Sequence, residues 1–161
     1  MKKVIFAIVL LAAVIAGVVV WNGHTRQQKI DRYMDIFGGE QYEGVDAHSP
    51  SGTGSAQVIF NYTYTFDDDG SCKLDVSYRT RKQTGYTDRQ FTDLKWTVEA
   101  SGNKMYLRVT GFGGKDAWKD MTAARISGKM EICDYTENEK EIFLKVVRND
   151  HYDLTLWKAD K

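Results

Sequence analysis

From Ala56 to Phe66 every second residue is apolar: Ala56, Val58, Phe60, Tyr62, Tyr64 and Phe66 alternate with Gln57, Ile59, Asn61, Thr63 and Thr65. A period of two places one set on a buried face, so this segment must be a strand in a sheet with a core on one side. Asp67 to Ser71 makes the turn, and Cys72, Leu74, Val76 and Tyr78 then alternate with Lys73, Asp75, Ser77 and Arg79. The two runs form a hairpin.

The same reading continues down the chain. Strands are expected at Phe91 to Glu99 and Lys104 to Thr110, joined by Ala100-Ser-Gly-Asn103, with Leu94, Trp96 and Val98 facing Met105, Leu107 and Val109. Gly111 to Ala123, with the isolated Trp118, reads as a loop. Further strands follow at Arg125 to Tyr135, Glu141 to Arg148 and His151 to Lys158, separated by Glu137-Asn-Glu-Lys140 and by Asn149-Asp150. Connections this short force antiparallel pairing, so the fold class is mainly β, an antiparallel meander of about seven strands curled into a barrel or half-barrel.

Ahead of this domain, Lys2 and Lys3 introduce an apolar run from Val4 to Val20, closed by Trp21. About 17 apolar residues reach the lower limit for spanning a bilayer, and the lysines place the N-terminus in the cytoplasm. The same segment reads alternatively as a cleaved signal peptide, with Val14-Ile15-Ala16 offering small residues to a peptidase. Either way the domain is expected to be extracytoplasmic, anchored in one case and secreted in the other. Asn22-Gly23 is expected to break this helix, and Thr25 with Gln28 resembles a capping box opening a short second one. Ile30, Tyr33, Met34 and Phe37 form its apolar stripe, read as packing on the domain or lying in the membrane interface, and Gly38-Gly39 is its stop. Gln41 to Gly54, with His48-Ser-Pro-Ser-Gly at its centre, reads as a linker. The expected division is therefore 1–21 signal-anchor or signal peptide, 22–54 amphipathic helix and linker, and 55–161 β domain.

An aromatic strand ending in Tyr64-Thr-Phe-Asp-Asp-Asp-Gly-Ser71, then Lys95-Trp96, then Gly102-Asn-Lys-Met-Tyr-Leu107, resembles the small lipocalin-like β-barrel domains of bacterial envelope proteins. The resemblance runs from Ser55 to Lys158. The chain departs from that pattern in lacking a Gly-x-Trp opening strand and in carrying an apolar helix without a lipid-attachment cysteine. What the resemblance implies is a barrel that binds a small apolar ligand or a protein partner, with no catalytic residue carried over.

Composition narrows the function classes. Lysine and arginine number 22, aspartate and glutamate 22, so no global field gathers nucleic acid, which is not an expected partner. The three histidines, His24, His48 and His151, have no metal-ligand spacing. Asp67-Asp-Asp-Gly70 lacks the flanking acids of a calcium loop, with Thr65 and Val76 where ligands belong. No metal or cofactor is expected. His48-Ser49 and His151 with Asp153 lack the setting of an activated nucleophile, so the chain is not read as an enzyme. Cys72 and Cys133 invite a disulfide in an oxidising compartment, although alternation puts them on opposite faces; otherwise Cys72 is a core residue and Cys133 a surface thiol.

Two binding readings remain. Arg79, Arg81, Lys82 and Arg89 surround a turn carrying Tyr86, which is either a solvated hairpin or a contact patch for an envelope protein or another anionic surface. Phe60, Tyr62, Trp96, Leu107 and Leu154 share the inner face, where a barrel would hold a small apolar ligand. The expected function is a membrane-anchored or exported interaction module of the cell envelope, with lipocalin-like ligand binding as the alternative.

Overall fold

The computed structural model describes residues 2–48, 58–80, 82–112, 128–134, 142–148 and 151–160. One helix, α1 (Lys2–Phe37), precedes β1 (Glu40–His48), β2 (Val58–Phe66), β3 (Ser71–Thr80), β4 (Thr87–Ser101), β5 (Lys104–Thr110), β6 (Lys129–Asp134), β7 (Ile142–Arg148) and β8 (His151–Lys158). Each strand pairs antiparallel with the next and β8 returns to β1, so the sheet closes into a barrel. Eight strands give an interior that side chains alone can fill.

The β2–β3 hairpin stands where alternation puts it, with Phe60 opposite Tyr78, Tyr62 opposite Val76 and Tyr64 opposite Leu74. Burial alternates strictly along β2, with Val58, Phe60, Tyr62, Tyr64 and Phe66 inside. In β4 the register to β3 slips by one residue between Cys72 and Leu74, and Asp93 takes a left-handed φ of 59°. This bulge lets Phe91, three residues before Leu94, turn to the core side as well. The strand consequently starts at Thr87, earlier than the apolar pattern alone suggests.

Several expectations are corrected. The sheet has eight strands, because the segment read as a linker from Gln41 contains β1, which pairs with β2 from Glu40 opposite Phe66 to His48 opposite Val58. Its core-side positions are Tyr42, Gly44 and Asp46, too poor in apolar residues to show period two, and the strand forms by pairing with β2. The barrel thus begins at Glu40, ahead of Ser55. Asn22-Gly23 does not break the helix, and Thr25 is not a cap: its hydroxyl donates to the carbonyl of Trp21 one turn back, at 2.9 Å. One glycine inside a helix costs about 1 kcal/mol, which the hydrogen-bonded turns on both sides offset. The stop at Gly38-Gly39 is as expected, with the Gly38 amide donating to the carbonyl of Met34 and Gly39 at φ 72°. Further expectations lie outside the described residues: the His48-to-Gly54 loop beyond His48 itself, most of the Gly111-to-Ala123 segment with Trp118, the Glu137-to-Lys140 and Asn149-Asp150 turns, and Arg81.

The last turns of α1 close one end of the barrel. Phe37 is fully buried, its ring centroid 5.1 Å from that of Tyr42 and 6.2 Å from that of Phe66, and Phe66 in turn lies 5.5 Å from Trp96. Ile30, Met34 and Ile36 pack against the same cluster, so the apolar stripe is spent on the barrel. Two polar contacts fix the angle: the Tyr33 hydroxyl donates to Asp134 Oδ2 at 2.8 Å, and the Arg26 guanidinium donates to the carbonyl of Ala100. Burying each large aromatic here contributes about 1.5–3 kcal/mol. Among the described residues no helix is long and apolar enough to cross a membrane. Val14, Val18, Val20 and Trp21 stand 53–72% exposed, so the barrel gives them no partner.

Candidate functional site

The interior candidates are brought together on the buried face of the barrel. Phe60, Tyr62, Trp96, Leu107 and Leu154 all point inward, at 2, 1, 4, 0 and 7% exposure. Phe60 stacks between Tyr62 and Tyr78, with centroids 6.1 and 5.7 Å away, and Trp96 sits at the helix-closed end, its indole N–H donating to the carbonyl of Asp67 at 2.9 Å. Tyr62 and Leu154 also border a groove of about 660 Å³ between β8, β1 and β2, but at this exposure all five side chains belong to the buried cluster. They are core.

The basic hairpin lies at the opposite end of the barrel from α1. The β2–β3 turn abuts the helix stop, where the Gly39 amide donates to the carbonyl of Phe66 at 2.7 Å, so the β3–β4 turn is at the far end. That turn is built by Gln83, whose amide N–H donates to the Thr80 carbonyl while its side-chain oxygen accepts from the Thr80 amide, both at 3.0 Å. The Arg79 guanidinium lies 4.8 Å over the Tyr86 ring, which is 44% exposed. Lys82 and Arg89 are exposed in the same hairpin. The stacked pair gives the hairpin one ordered cationic and aromatic feature.

Both cysteines are free, which corrects the disulfide. Cys72 points into the core from β3, whereas Cys133 is on the outer side of β6, so the barrel wall separates them. Burial, reinforced by Asp67, pushes the Cys72 thiol up to about 12, and burial also raises that of Cys133. Neither is a thiolate nucleophile at neutral pH. The acidic turn is occupied by its own hydrogen bonds: Asp69 Oδ1 accepts from the Ser71 amide at 2.8 Å and Asp67 Oδ2 from the Ser71 hydroxyl at 3.0 Å. The hydroxyl and amide of Ser71 together hold the Asp69 carboxyl below its ordinary range. Among the described residues no three potential ligands gather for a metal.

A different surface holds two adjoining grooves. One, of about 660 Å³, is lined by β8, β1 and β2; the other, of about 360 Å³, by β2, β3 and β4. Asn61 and Thr63 line both, which makes them one trough across five neighbouring strands. The register explains its shape. Trp157 stands opposite Glu43, Glu43 opposite Thr63, Thr63 opposite Asp75, and Asp75 opposite Gln90, a single outward-facing row. A second row, Val45, Asn61, Ser77 and Asp88, runs beside it. The short side chains of β2 and β3 form the floor, and Trp157 is the large aromatic at one end. Its ring packs on Phe143, centroids 4.8 Å apart, and it remains 43% exposed. Sequence reasoning missed this surface because the residues lie on five strands and become neighbours only through the register. Only the outward position of Trp157, on the parity opposite to Leu154 and Leu156, hinted at it.

No protein family, no curated protein and no solved structure matches this chain.

Proposed function

We propose that this chain is an extracytoplasmic interaction module of the cell envelope, anchored through the N-terminal half of α1 and presenting the far end of a lipocalin-like barrel to a protein partner. The observation that carries the reading is placement. The helix closes one end of the barrel and the Arg79–Tyr86 pair stands at the other, so a membrane around Val4 to Val20 leaves the basic hairpin facing away from its surface. A half-exposed aromatic covered by a guanidinium suits a protein contact, since aromatic and arginine side chains dominate binding energy at interfaces. The low exposure of the inner face weighs against the alternative, a small apolar ligand held among Phe60, Tyr62, Trp96, Leu107 and Leu154.

Two experiments test the parts separately. Carbonate-washed membranes should retain the full-length chain; a soluble form beginning at Gly17 would replace the anchor with a signal peptide. A photo-crosslinking residue at position 86 should yield one discrete adduct in intact cells, lost on Arg79→Ala with Arg89→Ala, whereas the same residue at position 106 should yield none. Equal adducts at both positions would remove the hairpin from the interface.

A further inference from the structure

We infer that the outer trough binds a neutral oligosaccharide, at a site that borders the basic hairpin at Arg89 and is separate from the anchor. Its components match the two kinds of surface a sugar chain presents. Pyranose rings carry an apolar face of C–H groups, and Trp157 offers a flat partner whose orientation is held by its contact with Phe143. Hydroxyl rims both donate and accept, and the row continuing from Trp157 supplies Glu43, Thr63, Asp75 and Gln90, carboxylates, a hydroxyl and an amide in register. The polar ladder is partly pre-ordered: the Gln90 amide donates to Asp75 Oδ1 at 2.7 Å, and Lys73 pairs with Asp75 Oδ2 at 2.9 Å. Groups already held in place lose less freedom when a ligand arrives.

The dimensions and charges reject other polymers. Five strands set about 4.8 Å apart give a row of roughly 19 Å, the length of a chain of about four sugar units. An extended peptide lying in this trough crosses the strands, so it cannot extend the sheet through main-chain hydrogen bonds, and the floor offers no deep apolar pocket for its side chains. A nucleic acid or other polyanion meets three carboxylates, Glu43, Asp75 and Asp88, against the one guanidinium of Arg89 in the same lining. A lipid chain finds Val45 and Trp157 as exposed apolar cover, since Tyr62 and Leu154 in the same lining are 1 and 7% exposed.

The test uses the full chain, isotopically labelled, in dodecylphosphocholine micelles, a detergent without a sugar headgroup. Tetramers of β-1,4-linked N-acetylglucosamine and of β-1,4-linked glucose are titrated in, with an uncharged tetrapeptide as comparison. The indole N–H resonance of Trp157, identified by its loss in Trp157→Phe, and the amides of Glu43, Thr63 and Asp75 should shift together and saturate with at least one sugar. Trp157→Ala should weaken that binding about tenfold or more, Trp157→Phe less, and Glu43→Gln by a few-fold. Glu43→Gln is exposed and conservative, so it reads the site even if Trp157→Ala disturbs the Phe143 contact. No saturable shift with either sugar would overturn the inference. So would an equal response to the tetrapeptide, which would make the trough a peptide surface, or a sugar response unchanged by both Trp157→Ala and Glu43→Gln.

Discussion

Strand β2 is bound to β3 by nine opposed residues, from Val58 with Thr80 to Phe66 with Cys72, whereas β8 meets β1 at two, Tyr42 with Lys158 and Glu43 with Trp157. The hairpin is held by an uninterrupted inner face on which a slip of one residue would turn every aromatic outward. The seam is held by close approach. A Cβ on Gly44 would come within 2.6 Å of the Thr155 carbonyl oxygen and 2.8 Å of Leu156 Cδ2, so the missing side chain is what lets the strands converge. Below it, an ion pair of Lys158 with Glu40 at 3.1 Å and a bond from the Ala159 amide to the Gln41 carbonyl at 2.9 Å complete the closure. Side-chain burial specifies one region and backbone sterics the other, and the trough passes over the second.

The largest effect should come from the hairpin. Phe66 is fully buried and its ring meets those of Phe37, Tyr42, Tyr64 and Trp96. Phe66→Ala should cost about 3–5 kcal/mol in denaturant melts, through lost burial and the cavity left behind. Thr63→Ala, on the outer face of the same strand, should stay within about 1 kcal/mol. Equal losses would move the core to the other face of β2.

At the seam the expected loss is smaller but more local. Gly44→Ala should cost about 1–3 kcal/mol, because one of the atoms in the way is backbone and cannot rotate aside. Hydrogen exchange should then speed up in β1 and β8 more than in β2 and β3. Uniform acceleration would show that the seam and the hairpin open as one unit.

These contrasts also mark what was legible. Period two was visible in β2 and β3 because every inner position from Val58 to Val76 is large and apolar, the turn apart. It was invisible in β1, where Gly44 serves the seam by being small and Asp46 sits on the core side near the strand end. The Asn22-Gly23 break failed because a local propensity of order 1 kcal/mol was weighed without the turns on either side. The parity argument separated Cys72 from Cys133 correctly, since it depends only on alternation within each strand. The trough needed the pairing of five strands, which no single segment encodes.

The helix-closed end should respond to alkali. Burial, helped by the hydrogen bond to Asp134, pushes the Tyr33 hydroxyl up to about 12 from 10.0, and burial does the same for Tyr42. A raised folded value means that stability is fully present below pH 10.0 and is lost as pH rises toward about 12. Melting temperature should fall across that window, less steeply in Tyr33→Phe, which keeps the ring and cannot ionise. At neutral pH the same variant should lose about 1 kcal/mol, the net value of one hydrogen bond. An identical alkaline slope in both proteins would mean that Tyr33 is not held at this interface.

The smallest effect should be on the outer wall. Arg108 donates through Nε and Nη2 to the two carboxylate oxygens of Glu99, at 2.9 and 2.6 Å, across the β4–β5 hairpin. That hydrogen bond holds the Glu99 carboxyl below its ordinary range. A depressed folded value contributes stability above the unfolded pKa of about 4.3, and the contribution is lost as pH falls through the folded value. Because both side chains are more than a third in solvent or close to it, screening keeps the pair below about 1 kcal/mol. Glu99→Gln should therefore lower stability slightly at pH 7, flatten part of the acid limb, and match the parent protein in molar salt. A loss approaching that of Phe66→Ala would mean that cross-strand charge, and not the inner face, sets the register of these hairpins, and the distinction between hairpin and seam would have to be redrawn on electrostatic grounds.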